Sequence, residues 1–231
     1  MLVAKSDTVV TSTLGWQPDR TVLLAACATG LAPLALLIDV PISAYCAVEG
    51  VPGELKRVLE WSEVLAHGSG VAILAVVLFV LDTANRRYIP RLLIGAYGAG
   101  LAADLVKLCV ARQRPRHFDF SLSVSDTFAG WLPVFGSSDG VGLSSRFQSF
   151  PSAHTAVAVA MALGLARIYP HGRVLFAVLA VMAAGQRIES GAHFLSDTLV
   201  GAALGACVYW SCQRSALVNR WLARWERESA R

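Results

Sequence analysis

His193 and Asp197 stand four residues apart, a spacing that puts both side chains on one face of a helix. A carboxylate beside an imidazole fixes the ring's tautomer and stabilises positive charge on it. Arg187 lies just upstream, and its planar fork matches the oxygens of a phosphate. All three fall between two long apolar runs, where charged groups are costly and usually mark function. The alternative for this stretch alone is a helix end with polar side chains reaching water.

Two further clusters carry compatible chemistry. In the first, Lys107 precedes Arg114-Pro115 by seven residues, two turns if the helix continues, so both cations are expected to face one way. Pro115 then ends the helix. The neighbours Arg112 and Arg116 are expected to matter far less than Arg114. The second cluster is Phe150-Pro151-Ser152-Ala153-His154-Thr155, in which Pro151 and Ser152 suit a helix start. Free backbone N–H groups at such a start attract an anion. Together the clusters supply two arginines, a lysine, a helix N-terminus, two histidines and an aspartate. That set suits a phosphate-like dianion, with an imidazole–carboxylate pair and a spare acid. No His, Cys or carboxylate group has metal-ligand spacing, so neither metal nor cofactor is expected.

The elements that must position these residues are hydrophobic. Of 231 residues, 55% are hydrophobic and 16% charged, with mean hydropathy +0.54. Soluble domains carry roughly 25% charged residues, so an ordinary soluble domain is excluded. Apolar runs of about 20 residues predict an all-α polytopic bundle of six transmembrane helices. The spans are expected near Thr21–Val40, Ser62–Leu81, Ile89–Val110, Ser152–Tyr169, Gly172–Gly185 and Phe194–Cys212. Pro33 is expected to kink the first, which is read as uncleaved. Pro41, Pro52 and Gly53 mark a turn before a short interfacial helix from Glu54 to Trp61, and His67 reads as a hydrogen-bonded structural histidine. Glycine and alanine in the third span, among them Gly95, Gly98 and Ala102, suit close helix packing. Residues 1–231 read as one membrane domain with a core of about 20–213 and a basic, Trp-bearing tail at 214–231.

Alternating spans bring the three clusters to one side. With the N-terminus inside, twelve Lys and Arg lie inside and eight outside, a mild positive-inside bias. The polar clusters then face outward, as in a bacterial inner-membrane protein with its site toward the periplasm. One long outer loop, 111–150, joins the first two clusters and is rich in Phe and Trp. Trp131 and Phe135 are expected to dip into the interface beside acyl chains, while other loop rings pack on the helix ends. The five cysteines read as small core hydrophobes. No repeated basic-aromatic pattern points to nucleic acid, and the oligomeric state is not legible.

At this point the chain resembles the type 2 phosphatidic acid phosphatase superfamily, whose motifs are K-x6-RP, PSGH and SR-x5-H-x3-D. The matches are Lys107 to Arg114-Pro115, Pro151-Ser152-Ala153-His154, and Arg187 to His193 to Asp197. Ala153 replaces the family glycine and Gln186 the family serine. The resemblance implies that His193 attacks phosphorus, Asp197 orients and charge-stabilises it, and His154 protonates the leaving oxygen. It further implies that Lys107, Arg114 and Arg187, with Ser152, Ala153 and nearby amides, bind the phosphoryl oxygens. The expected activity is metal-independent hydrolysis of a membrane lipid phosphate monoester or pyrophosphate, with the bilayer as the other partner. The alternatives are a phosphotransferase of the same family and a non-catalytic lipid transporter or binding protein. A soluble haloperoxidase-type site is disfavoured by the apolar spans.

Overall fold

Helix α5 (Ala153–Ile168) runs through the middle of the bundle, and every residue from Thr155 to Ala166 is buried. Ser152 begins it as a cap, its Oγ accepting from the Thr155 N–H at 3.3 Å. The helix is built of alanine, valine and leucine with Gly164, so it has no polar face to turn outward. In the computed structural model, which describes residues 18–133 and 144–228, seven more helices and a β-ribbon are arranged about it. They are α1 (Pro18–Val48), α2 (Gly53–Trp61), α3 (Gly68–Leu81), α4 (Ile89–Lys107), α6 (Arg173–Glu189), α7 (Leu195–Arg214) and α8 (Ala216–Glu228). α5 packs against α4, α6 and α7, and α1 lies along α7.

Small residues decide how closely these helices meet. Gly201 and Gly205 on α7 form a G-x3-G stripe against α5. A Cβ at Gly201 would lie 2.4 Å from the Ser152 carbonyl oxygen, and one at Gly205 would lie 2.3 Å from that of Ala156. Backbone meets backbone here, the contact that drives helix association where lipid removes the usual hydrophobic force. Outward, the bundle shows large apolar side chains, among them Leu34 and Leu37 on α1, Ile73 and Val76 on α3, and Val174 and Val181 on α6. Such a belt is the surface a bilayer solvates.

Six of the helices stand where six spans are expected. By length and apolar composition alone, α1 and the stretch Arg86–Lys107 can cross a membrane. The pair Gly53–Leu65 and Gly68–Leu81 makes a third if taken as one span bent by 67°. The second expected span is therefore broken, with a 3-10 turn at Ser62–Leu65. His67 caps α3, its Nδ1 accepting from the Ser69 N–H at 3.3 Å. The structure also corrects the first boundary. α1 continues through Pro33 and Pro41 to Val48. A proline removes one helical hydrogen bond, and packing along α7 holds the rest.

The long outer loop is not all irregular. The helix stops at Lys107, and strand β1 (Val110–Arg112) pairs antiparallel with β2 (Phe128–Trp131), Val110 facing Trp131 and Arg112 facing Phe128 across a bulge. The all-α expectation therefore gains a small ribbon. A three-residue strand buried throughout has no alternation for a sequence pattern to reveal. Trp131 is exposed at the ribbon's edge. Phe118 is buried, edge-on to Phe120 and Phe194, as expected of rings that pack down. Phe135 lies outside the described residues.

The glycine stripe makes a stability prediction. Gly205→Val should force α7 off α5 and cost at least the roughly 1–3 kcal/mol typical of overpacking. A melting curve in detergent checks it, and an unchanged midpoint would show that the contact yields freely.

Candidate active site

The turn between α6 and α7 presents the central histidine. α6 ends with Ser190 N–H bonded to the Gln186 carbonyl, and the N–H groups of Ala192 and His193 both donate to the Arg187 carbonyl at 3.1 Å. Gly191 makes the reversal at φ +63°, and its carbonyl accepts from the Arg116 N–H at 2.9 Å. A Cβ there would be strained and would meet Arg116 at 3.1 Å. The turn thus delivers His193 against the start of α5, where the Ser152 N–H donates to the Asp197 carbonyl at 3.1 Å.

His193 is buried, and its Nδ1 lies 2.5 Å from the Ser149 carbonyl oxygen. A carbonyl can only accept, so Nδ1 carries the proton and Nε2 keeps the lone pair. The ring is therefore held in the tautomer a nucleophile needs. Asp197 does not bond the ring directly, since its Oδ2 is 3.9 Å from Nδ1. That oxygen takes Ser149 Oγ at 2.6 Å and the Phe194 N–H at 2.8 Å. Ser149 joins the two groups, with its carbonyl on the imidazole and its hydroxyl on the carboxylate. Asp197, expected to orient the ring, is thus linked to it through Ser149, a residue that the sequence did not single out. Burial first, and then the Arg114 cation, hold the His193 pKa well below the usual imidazole range.

The other expected residues gather around this ring. Lys107 is the last residue of α4, with Nζ 2.8 Å from Asp104 Oδ1. Arg114 is extended past β1, tied by its N–H to the Arg146 carbonyl at 2.9 Å. Two helical turns therefore do not connect Lys107 to Arg114, yet the charges of both act on His193. Arg114 Nε is buried with no hydrogen-bond partner among the described residues, which suits a group aimed at an incoming anion. His154 is the second residue of α5, its ring 5.9 Å from that of His67 and within reach of the Arg187 and Lys107 charges. Ser152 is fully buried and spent on its cap, so its Oγ is turned to Thr155, and Ala153 opens the helix behind it.

Arg187 has a partner that the sequence did not announce. Its Nη2 lies 2.9 Å from Oε1 of Glu63, in the 3-10 turn before α3, and its Nε donates to Gln186. Gln186 is buried and serves as the acceptor that steadies the guanidinium. Nearby, Lys56 of α2 pairs with Glu189 of α6 at 3.2 Å.

Arg112 requires the largest correction. Expected to be a bystander, it is fully buried. Its Nη1 meets Asp197 Oδ1 at 2.5 Å and Ser196 Oγ at 2.7 Å, its Nη2 meets Asp39 Oδ2 at 2.8 Å, and its Nε meets Thr127 Oγ1 at 3.1 Å. Phe128 and Phe194 flank its guanidinium at 4.6 and 4.3 Å. Asp39, an acid inside the first apolar run, was the available signal, because a charge there needs a partner. Among the described residues, no three His, Cys, Asp or Glu side chains group closely enough to hold a metal ion.

Comparison with known proteins points the same way. Residues 89–221 match the family model described as the PAP2 superfamily. A lipid A 1-phosphatase of Rhizobium johnstonii is 30% identical over 224 residues, covering 89% of this chain and 81% of that protein. A decaprenylphosphoryl-5-phosphoribose phosphatase of Mycobacterium tuberculosis is 32% identical over 171 residues, covering 74% and 85%. Among solved structures, the transmembrane PAP2-type phosphatidylglycerolphosphate phosphatase of Bacillus subtilis superposes with TM-score 0.52 at 19% identity, over 90% of this chain and 96% of that one. Aquifex aeolicus LpxE gives the same score and identity, over 79% and 94%.

Two predictions follow from this geometry. Arg114→Ala and Arg187→Ala should each lower kcat/KM on a phosphate ester by about two to three orders of magnitude, the scale for one oxyanion ligand. Arg116→Ala, with an exposed side chain, should cost far less. Arg112 is no fair comparator, since its loss strands two buried carboxylates. Steady-state kinetics on folded variants checks the order, and an Arg116 effect as large as that of Arg114 would overturn it. Second, a group with a lowered pKa stays neutral as pH falls through its ordinary value. His193 in 15N-histidine-labelled protein, assigned by its absence in His193→Ala, should hold neutral-ring shifts from pH 8 down through about 6.5. A transition centred there would show an ordinary, solvated imidazole.

Proposed function

The chain belongs to the PAP2 superfamily, and from that premise we propose that it is a metal-independent membrane phosphatase hydrolysing a lipid phosphate through a phosphohistidine. The observation that carries this reading is the buried His193, with Nδ1 donated to a carbonyl and Nε2 left for phosphorus. Nε2 attacks, an N–P bond forms, and the P–O bond to the lipid oxygen breaks. His154 gives its proton to that oxygen, and the lipid alcohol leaves. His154 then takes a proton from water, whose oxygen attacks phosphorus and breaks the N–P bond. Inorganic phosphate is released and His193 returns to its starting tautomer. Lys107, Arg114 and Arg187 offset the charge that develops on the equatorial oxygens, work that other phosphatases give to metal ions.

α1, α3, α4, α5, α6 and α7 cross the bilayer in this reading, with the site at the outer leaflet of a bacterial inner membrane. The apolar belt below the site supports it. α2, with exposed Leu55, Val58 and Trp61, lies in the interface beside the end of α6. The substrate is an amphiphile whose phosphate sits at headgroup depth. The names of the two relatives suggest a phosphate carried by a sugar on a lipid anchor.

The test is phosphate release from a lipid panel in detergent with EDTA present. The panel spans lipid A, polyprenylphosphoryl sugar phosphates, phosphatidylglycerophosphate and phosphatidic acid. Release should persist with chelator, and His193→Ala should abolish it. Labelled substrate should leave an acid-labile, base-stable adduct on the wild type that His193→Ala lacks. Asp197→Asn should retain more activity than His193→Ala. Activity lost with the chelator, or an adduct that survives in His193→Ala, would sink this mechanism.

A further inference from the structure

Asp39 lies on α1, outside the residues that match the family model, yet it is fully buried against the site. Its Oδ2 accepts from Arg112 Nη2 at 2.8 Å and from Ser196 Oγ, and its Oδ1 accepts from the Ser196 N–H at 2.9 Å. On the other side of Arg112, Asp197 receives Arg112 Nη1 on Oδ1, with Ser149 Oγ and the Phe194 N–H on Oδ2. Every oxygen of both carboxylates thus has a donor directed at it, the pattern of two ionised groups. The cluster holds one guanidinium and two carboxylates, so one negative charge is left over.

That remainder sits where the reaction needs it. An Arg112–Asp197 pair alone would be neutral, and its field at His193 would be largely cancelled. The groups facing His193 are otherwise the cations Lys107 and Arg114 and the imidazole of His154, which all oppose a positive ring. Asp197 is the carboxylate nearest the ring among the described residues, at 3.9 Å. When Nε2 bonds phosphorus, the ring keeps its Nδ1 proton and gains positive charge. Stabilising that charge requires an uncancelled negative one nearby. Asp39 supplies it at one remove by engaging Arg112 from the far side.

We propose that Asp39 is a positioning residue for catalysis: by binding Arg112 it leaves the Asp197 carboxylate with an unspent negative charge beside His193. The N-terminal helix is then part of the catalytic apparatus and more than a membrane anchor. This rests on the phosphohistidine reading above. The alternative is that the network only fastens α1 to α7.

The test uses the full chain in detergent with a soluble phosphate ester. Two inhibitors separate the states. Vanadate, adopting the five-coordinate geometry on the attacking nitrogen, senses the charge on His193. Inorganic phosphate, held by Lys107, Arg114 and Arg187, senses the ground state alone. Asp39→Asn keeps the shape and removes the charge. It should lower kcat about 10–100-fold, below the roughly 10⁴-fold scale for neutralising a carboxylate that contacts its histidine directly. Vanadate affinity should fall in step, while KM and phosphate affinity stay within about twofold. Asp39→Asn with Arg112→Gln restores the net −1 and should regain vanadate affinity relative to the single variant. Equal losses of vanadate and phosphate binding, or a folded double variant no better than the single one, would overturn the proposal. Failure of both variants to fold would assign the network to the fold alone and overturn it too. If the wild type itself shows no preference for vanadate over phosphate, the phosphohistidine reading fails instead, and the two failures are distinguishable.

Discussion

A guanidinium with no exposed surface must find a donor-by-donor match, because desolvating it costs several kcal/mol that only close, well-directed acceptors offset. Arg112 meets that condition by drawing on three separate parts of the chain. Asp39 comes from α1, Thr127 from the turn before β2, Ser196 and Asp197 from α7, and two phenylalanine rings cover its faces. Its carbonyl also accepts from the Ser149 N–H at 3.0 Å, which places the carbonyl that holds His193. Helix packing, ribbon pairing and imidazole orientation are therefore mutually dependent. Removing the guanidinium alone would strand two buried carboxylates, so the network stands or falls with Arg112.

The bilayer shapes the remainder. A membrane gives helices no hydrophobic reason to associate with each other, so close contact must come from shape and from polar groups at the ends. Glycines 201 and 205 supply the shape, and the Ser152 N–H to Asp197 carbonyl bond supplies the polar closure. The site sits at the end of a helix pair that meets backbone to backbone. Precision at His193 and Asp197 is inherited from backbone contact lower down, which no loop could provide alone.

The residues of the proposed site were legible in the sequence because their motifs are local. Pro151 to His154 and Arg187 to Asp197 are short spacings set by a helix start and a single turn, and Lys107 to Arg114 is a short spacing that spans a helix end and strand β1. Arg112, Asp39, Ser149 and Glu63 were not legible, because each acquires meaning from a partner far along the chain. Arg112 and Asp39 are 73 residues apart, and Arg187 and Glu63 are 124 apart. Arg112 also hides among arginines, and its solvated neighbour Arg116 has the same letter. The six apolar runs were read from composition, whereas the break at His67 and the passage of α1 through Pro41 depend on neighbours that periodicity does not encode. The ribbon was missed for a related reason: three residues cannot display a period.

That ribbon divides the outer loop into stretches that evolution and engineering can treat differently. β1 carries Arg112 inward, while its partner strand presents Trp131 outward, with the register fixed on both sides of one bulge. Adding a single residue within 110–112 would shift this register and displace the guanidinium from its partners. Between 118 and 123 the chain runs largely exposed, apart from Phe118, and length there is nearly free. The loop therefore has a rigid frame and an editable margin, and the margin can change in length and composition without the buried network being rebuilt.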